Sequence, residues 1–93
     1  MPISTMSSKW QVYIVSCRDG SLYTGITVNL LRRLAAHNAG KRGARYTRTR
    51  RPVTLVFSEP AACRSSATKR EWQIKQMTVT QKITLIVAQQ EKC

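Results

Sequence analysis

Two short runs rich in β-branched and aromatic residues stand near the start of the chain. Trp10 to Cys17 is the first and Ser21 to Thr27 the second, with turn chemistry at Arg18, Asp19 and Gly20 between them. The pattern predicts a β-hairpin, and the turn length decides which side chains share a face. A two-residue Asp19-Gly20 turn pairs Tyr13 with Ile26 and sends Tyr13 and Tyr23 to opposite faces. A three-residue loop with Gly20 in the left-handed position pairs Tyr23 with Val15, so that the two tyrosines face the same way. Gly20 stands where that bulge needs it, and this register is preferred.

Helical spacing follows. Asn29 can accept first-turn amide hydrogen bonds, and Leu30, Leu31 and Leu34 recur on one side of a segment that Gly40 ends. Arg33 and His37, four apart, stack on one edge of that leucine stripe. After a basic stretch, Pro52 precedes a third strand in which Val53, Leu55 and Phe57 alternate with Thr54 and Val56, and Pro60 closes it. Ser65 or Ser66 can cap a second helix reaching about Met77. Ala67, Ile74 and Met77 mark its inward side, and Glu71 falls within about 60° of Ile74, an unusual place for a carboxylate. From Thr80 to Gln90, Ile83, Ile86 and Val87 keep helical spacing. The β-branched run also suits a strand, with helix the preferred reading. The organisation expected is a flexible leader over 1–9, one domain over 10–90 and a tail over 91–93.

Charge changes this picture. The 93 residues hold 16 Lys+Arg against 4 Asp+Glu, a net +12, with 42% hydrophobic residues. That length suits one domain with a modest core, and the apolar fraction argues against wholesale disorder. So basic a surface most often meets phosphate backbones, which makes DNA the expected partner. No run approaches the roughly 18 apolar residues of a membrane span, and the N-terminus lacks signal-peptide character. A cytoplasmic protein without membrane contact is expected, as a monomer or weak dimer. A membrane-active peptide is disfavoured because the charges do not follow one amphipathic helix. The cysteines are odd in number and contain no CxxC pair, which suggests neither a disulfide framework nor a zinc site. Cys17 and Cys63 read as small core residues and Cys93 as a terminal thiol.

Six cations fall between 41 and 51 without an acid among them: Lys41, Arg42, Arg45, Arg48, Arg50 and Arg51, interleaved with Gly43 and Tyr46. Held together, they call for an anion. If all six meet phosphates, the log–log salt slope of binding is about −5. Such a loop supplies affinity more than sequence specificity, and Tyr46 could stack on an exposed base.

Ordered along the chain, these residues resemble the GIY-YIG nuclease family, in particular its small single-domain members. The first motif reads Gln11, Val12, Tyr13 and the second Tyr23, Thr24, Gly25. The family's helix arginine, ten residues after the second tyrosine, falls on Arg33, and its His or Tyr four residues later on His37. Its metal-binding glutamate falls on Glu71, within Lys69, Arg70, Glu71, Trp72. The likeness runs from about Trp10 to Leu85. Gln11 and Val12 replace Gly and Ile, Thr24 stands for Ile, and no Asn follows Asn38 to match the supporting residue of some relatives. The resemblance implies an α+β fold, a small three-stranded antiparallel sheet flanked by about three helices. It also implies a metal-dependent endonuclease cutting DNA phosphodiester bonds, selective for structured DNA and linked to repair or recombination.

Phosphodiester hydrolysis explains the residue types. Charge accumulates on non-bridging oxygens, and a fixed guanidinium such as that of Arg33 meets it with bidentate hydrogen bonds. A single Mg²⁺ or Mn²⁺ ion accepts one carboxylate plus waters and substrate phosphate, so Glu71 can suffice. Asp19 belongs to the turn and Glu59 to a strand end. In the family the second tyrosine is a proposed general base, here Tyr23. From a reference value of about 10 it would need a drop of some three units, roughly 4 kcal/mol, with Arg33 and the metal as available causes. Tyr13 then orients the nucleophile, and His37 holds a phosphate oxygen or assists proton transfer. Singly, each residue has an ordinary role in packing, on a solvated face or, for Glu71, in an ion pair with Lys75. The alternative function is a non-catalytic nucleic-acid-binding module using residues 41–51.

Overall fold

A computed structural model describes residues 9–39 and 50–91. The elements are β1 (Gln11–Ser16), β2 (Leu22–Thr27), α1 (Leu30–Ala39), β3 (Thr54–Pro60), α2 (Arg64–Lys75) and α3 (Val79–Glu91). The three strands form one antiparallel sheet in the order β2-β1-β3. β1 is central, which is why Val12, Ile14 and Val15 are wholly buried. The expected α+β architecture, a three-stranded sheet with three helices, is what forms. The expected leader, most of the basic stretch and the C-terminal tail with Cys93 lie outside the described residues.

The hairpin register follows from its turn. Cys17 N donates to Ser21 O at 2.8 Å and Gly20 N to Cys17 O at 2.9 Å, closing a three-residue loop with Gly20 at φ 87°. Asp19 secures it by accepting from the Ser21 amide at 3.0 Å. Val15 therefore pairs with Tyr23 and Tyr13 with Gly25, so the two tyrosines share a face.

Strand alternation divides β1 between two cores. Val12 and Ile14 pack with Ala67, Ile74 and Ile86 of α2 and α3. Tyr13, Val15 and Cys17 pack with Leu30 and Leu34 of α1 and with Val53 and Leu55. The expected alternation of Val53, Leu55 and Phe57 breaks within β3. Ile14 pairs with Phe57 and Val15 with Leu55, a bulge that leaves Val56 without a place in the ladder. It moves Phe57, with Val56, into the core under α2 and α3.

Asn29 caps α1 as expected, its Oδ1 accepting from Arg32 N at 3.0 Å. Leu31, however, is 81% exposed, so the stripe is carried by Leu30 and Leu34. α2 starts earlier than the serines suggested, with Cys63 at its N-cap position in extended conformation and no side-chain cap bond. Cys63 is consequently exposed instead of packed in the core, and the Ser66 hydroxyl, 3.5 Å from its Sγ, helps pull its pKa down. α3 is helical through the disputed stretch. Thr78 and Gln81 cap it reciprocally, Gln81 N to Thr78 Oγ1 at 3.2 Å and Thr78 N to Gln81 Oε1 at 2.9 Å. From α3, the Gln89 amide reaches β3, accepting from Ser58 N at 3.2 Å and donating to Ser58 O.

Candidate active site

Tyr13 sits mid-strand on β1 opposite Gly25 of β2. A Cβ at position 25 would lie 2.5 Å from Tyr13 Oη and 2.7 Å from Cζ. The phenol therefore lies across the space the glycine leaves, which is the physical demand behind a glycine at this point of the strand. From α1, His37 meets it fully buried, with Tyr13 Oη and His37 Nε2 at 2.8 Å. One turn earlier on α1, Arg33 Nε donates to the same Oη at 3.3 Å.

Arg33 can only donate, so the Tyr13 oxygen accepts from it. The direction of the bond between Tyr13 Oη and His37 Nε2 follows the imidazole tautomer. Burial, then the Arg33 charge, push the His37 pKa down to about 4, so the imidazole is neutral at physiological pH. Burial raises the Tyr13 pKa above its ordinary value, against the hydrogen bond and charge of Arg33 and with the Tyr23 and Glu71 charges. Burial thus favours the protonated hydroxyl of Tyr13, which its two hydrogen bonds hold in place.

Tyr23 stands beside this chain, its ring 5.5 Å from the His37 ring at 67°, while Tyr13 meets the same ring at 5.9 Å and 66°. α2 packs against both β2 and β1. Ala67 and Ile74 of α2 enter the core, and Glu71, between them on that stripe, keeps its side chain 21% exposed. Lys75 Nζ pairs with Glu71 Oε2 at 3.4 Å and lies 6.0 Å over the Tyr23 ring. Four elements therefore bring Tyr13, Tyr23, Arg33, His37 and Glu71 into one neighbourhood.

The predicted nucleic-acid contacts fare differently. Lys41, Arg42, Arg45, Tyr46 and Arg48 lie outside the described residues. Arg50 pairs with Asp19 of the hairpin turn at 3.0 Å, so the stretch lacking acids in sequence acquires one in space. Arg51 Nη1 donates to Asn38 O at 3.3 Å. His37, expected to hold a phosphate oxygen or assist proton transfer, has no exposed surface, and its Nε2 is hydrogen-bonded to the Tyr13 hydroxyl. For three residues the sequence left the structural role incomplete or unread. Lys75 entered only as a pairing partner, whereas it also covers Tyr23. Thr24, opposite Ile14, is 3% exposed with a hydroxyl that finds no partner among the described residues. Asn38 locks the end of α1 to the residue before β3, its Oδ1 accepting from Val53 N at 2.7 Å and its Nδ2 donating to Val53 O at 3.2 Å.

Among the described residues no three metal-ligating side chains cluster. A divalent ion would rely on Glu71 with water and phosphate. The partly exposed carboxylate, already beside an ammonium, suits a hard cation.

Residues 9–84 match the model of the GIY-YIG catalytic domain. This chain belongs to the GIY-YIG family. A UPF0213 protein of Desulfotalea psychrophila is 56% identical over 82 residues, which are 88% of this chain and 74% of that protein. A UPF0213 protein of Staphylococcus haemolyticus is 53% identical over 79 residues, 85% of this chain and 95% of that one. The solution NMR structure of a UPF0213 protein from Bacillus halodurans superposes with a TM-score of 0.55 at 38% identity, covering 85% of this chain and 83% of that one. A second solution NMR structure, from E. faecalis, gives 0.58 at 41% identity, covering 84% and 82%. Membership of the GIY-YIG family points to an endonuclease with DNA as substrate, and every residue of the cluster lies inside the matched segment. No described helix is long and apolar enough to cross a membrane.

Proposed function

We propose that the protein is a metal-dependent endonuclease that hydrolyses DNA phosphodiester bonds. The observation carrying this reading is the Tyr13 hydroxyl held between Arg33 at 3.3 Å and His37 at 2.8 Å, with Tyr23 against the same imidazole. In this scheme water attacks phosphorus, a new P–O bond forms, and the ester bond to the leaving oxygen breaks. Tyr23, having given its own hydroxyl proton to solvent, takes the proton from the water, and solvent protonates the leaving oxygen. Arg33, oriented by its bond to Tyr13, stabilises charge on the non-bridging oxygens, where a fixed guanidinium lowers the barrier most. Tyr13 and His37 hold that geometry from below, with neutral His37 adding no competing charge. Glu71 would hold a single Mg²⁺ or Mn²⁺ ion, which when bound supplies Lewis-acid polarisation of the phosphate.

The basic residues of 41–51 add backbone affinity without reading sequence, which favours selection by DNA structure. Branched or single-stranded junctions of the kind met in repair and recombination are the proposed targets. The test is wild type against Glu71→Ala on supercoiled, linear, branched and single-stranded DNA, in Mg²⁺, Mn²⁺ or EDTA. Metal-dependent cleavage absent from the variant supports the reading. Identical behaviour of the two proteins on every substrate refutes it and leaves a binding module.

A further inference from the structure

Glu71 differs from the other described carboxylates in what neutralises it. Asp19 and Glu59 are each held by a guanidinium, at 3.0 and 2.9 Å, and Arg70 reaches both oxygens of Glu59. Arginine at such a site is a fixed fork that other cations replace poorly. Glu71 instead faces the ammonium of Lys75 at 3.4 Å, on a side chain 49% exposed. A lysine in this position is a mobile point charge, and an exposed pair at this spacing is weak. The same ammonium lies 6.0 Å over the ring of Tyr23. One side chain thus touches both the group read as metal ligand and the group read as proton acceptor.

We infer that Lys75 is the resident counter-cation of the Glu71 site, which a divalent metal ion must displace from the carboxylate in order to bind. The inference rests on the reading of Glu71 as the metal-binding residue. It makes metal binding to the free protein weak for three combined reasons: a single carboxylate, a resident ammonium and a net charge of +12. A phosphate arriving with nucleic acid supplies both further oxygen ligands and negative charge. Metal and substrate therefore strengthen each other's binding, by linkage in equal measure.

Mn²⁺ titration of the full chain, followed through the free-ion electron paramagnetic resonance signal, tests this without reference to turnover. At low ionic strength Lys75→Met tightens Mn²⁺ binding by about two- to fivefold, and added salt narrows the gap by screening. Lys75→Arg, which keeps the charge and offers a fork that a metal displaces less readily, binds Mn²⁺ no tighter than wild type. Lys69→Met removes one charge from an exposed position on the same helix and shifts binding much less. Glu71→Gln binds weakly, and adding Lys75→Met to it gives no gain. The inference is overturned if Lys75→Met binds no tighter than wild type, if Lys69→Met or Lys75→Arg gains as much, or if the gain persists without the Glu71 carboxylate. The nuclease reading fails separately: no cleavage by wild type, with the Mn²⁺ pattern intact, removes the enzyme and leaves Lys75 in its role.

Discussion

Both faces of one three-stranded sheet are packed with apolar residues, and one of them also holds a buried hydrogen-bond chain. Toward α2 and α3, Val12, Ile14 and Phe57 meet Ala67, Ile74 and Ile86 in an apolar core. Toward α1, Tyr13 is just as buried but its hydroxyl is hydrogen-bonded to both Arg33 and His37. Residues 12, 13 and 14 are neighbours in sequence, and the pleat alone assigns them to packing, chemistry and packing. Apolar burial tolerates reshaping at a cost in stability, whereas a buried polar chain works only when each donor has its acceptor.

Substitutions on the two faces should therefore separate function from stability. The largest expected effect is on the α1 face: Arg33→Ala lowers turnover of DNA by about 100- to 1,000-fold while thermal melting moves little, measured by initial rates beside calorimetry. Loss of both together would erase the distinction between the faces. On the other face, Ile74→Ala costs about 2–5 kcal/mol in denaturant unfolding, and the fraction still folded cleaves at the wild-type rate.

A pH effect comes next. The folded pKa of His37, about 4, lies below the ordinary value of 6.5. Between these values the unfolded chain binds a proton that the folded chain refuses, so stability is fully present above about pH 6.5 and declines as pH falls toward 4. The loss approaches about 3 kcal/mol, and His37→Gln should flatten that part of a Tm-against-pH curve. Smallest is Thr24→Val, which removes an unpartnered buried hydroxyl and should raise stability by about 1 kcal/mol or less. A loss of activity in that variant would show that Thr24 serves the chemistry from the packing face.

Local chemistry made much of this legible in the sequence. The three residues at 18–20 with a terminal glycine dictate the hairpin register, and hence that Tyr13 and Tyr23 look the same way. Asn29 announces its helix for the same reason, because a cap acts within three residues. What stayed hidden depends on distant partners. The bulge at Val56 arises from how β3 meets β1, and the Asp19–Arg50 pair joins a turn to a segment 31 residues away. Helical spacing placed His37 on an edge without revealing how deeply α1 presses it onto Tyr13. Lys75 was visible as a neighbour of Glu71, but its position over Tyr23 needs the packing of α2 along β2.

β3 is an outer strand of the sheet, and there the Gln89 side chain donates to and accepts from the Ser58 backbone much as another strand would. One amide thereby occupies a place where a second copy could begin to add its own edge. Charge repulsion guards against such contact only at short range, about 8 Å at physiological ionic strength. Colloidal behaviour in salt, and not only folding, thus depends on a glutamine: Gln89→Ala should shorten the time to light scattering on prolonged warm incubation at high salt, with little change in Tm.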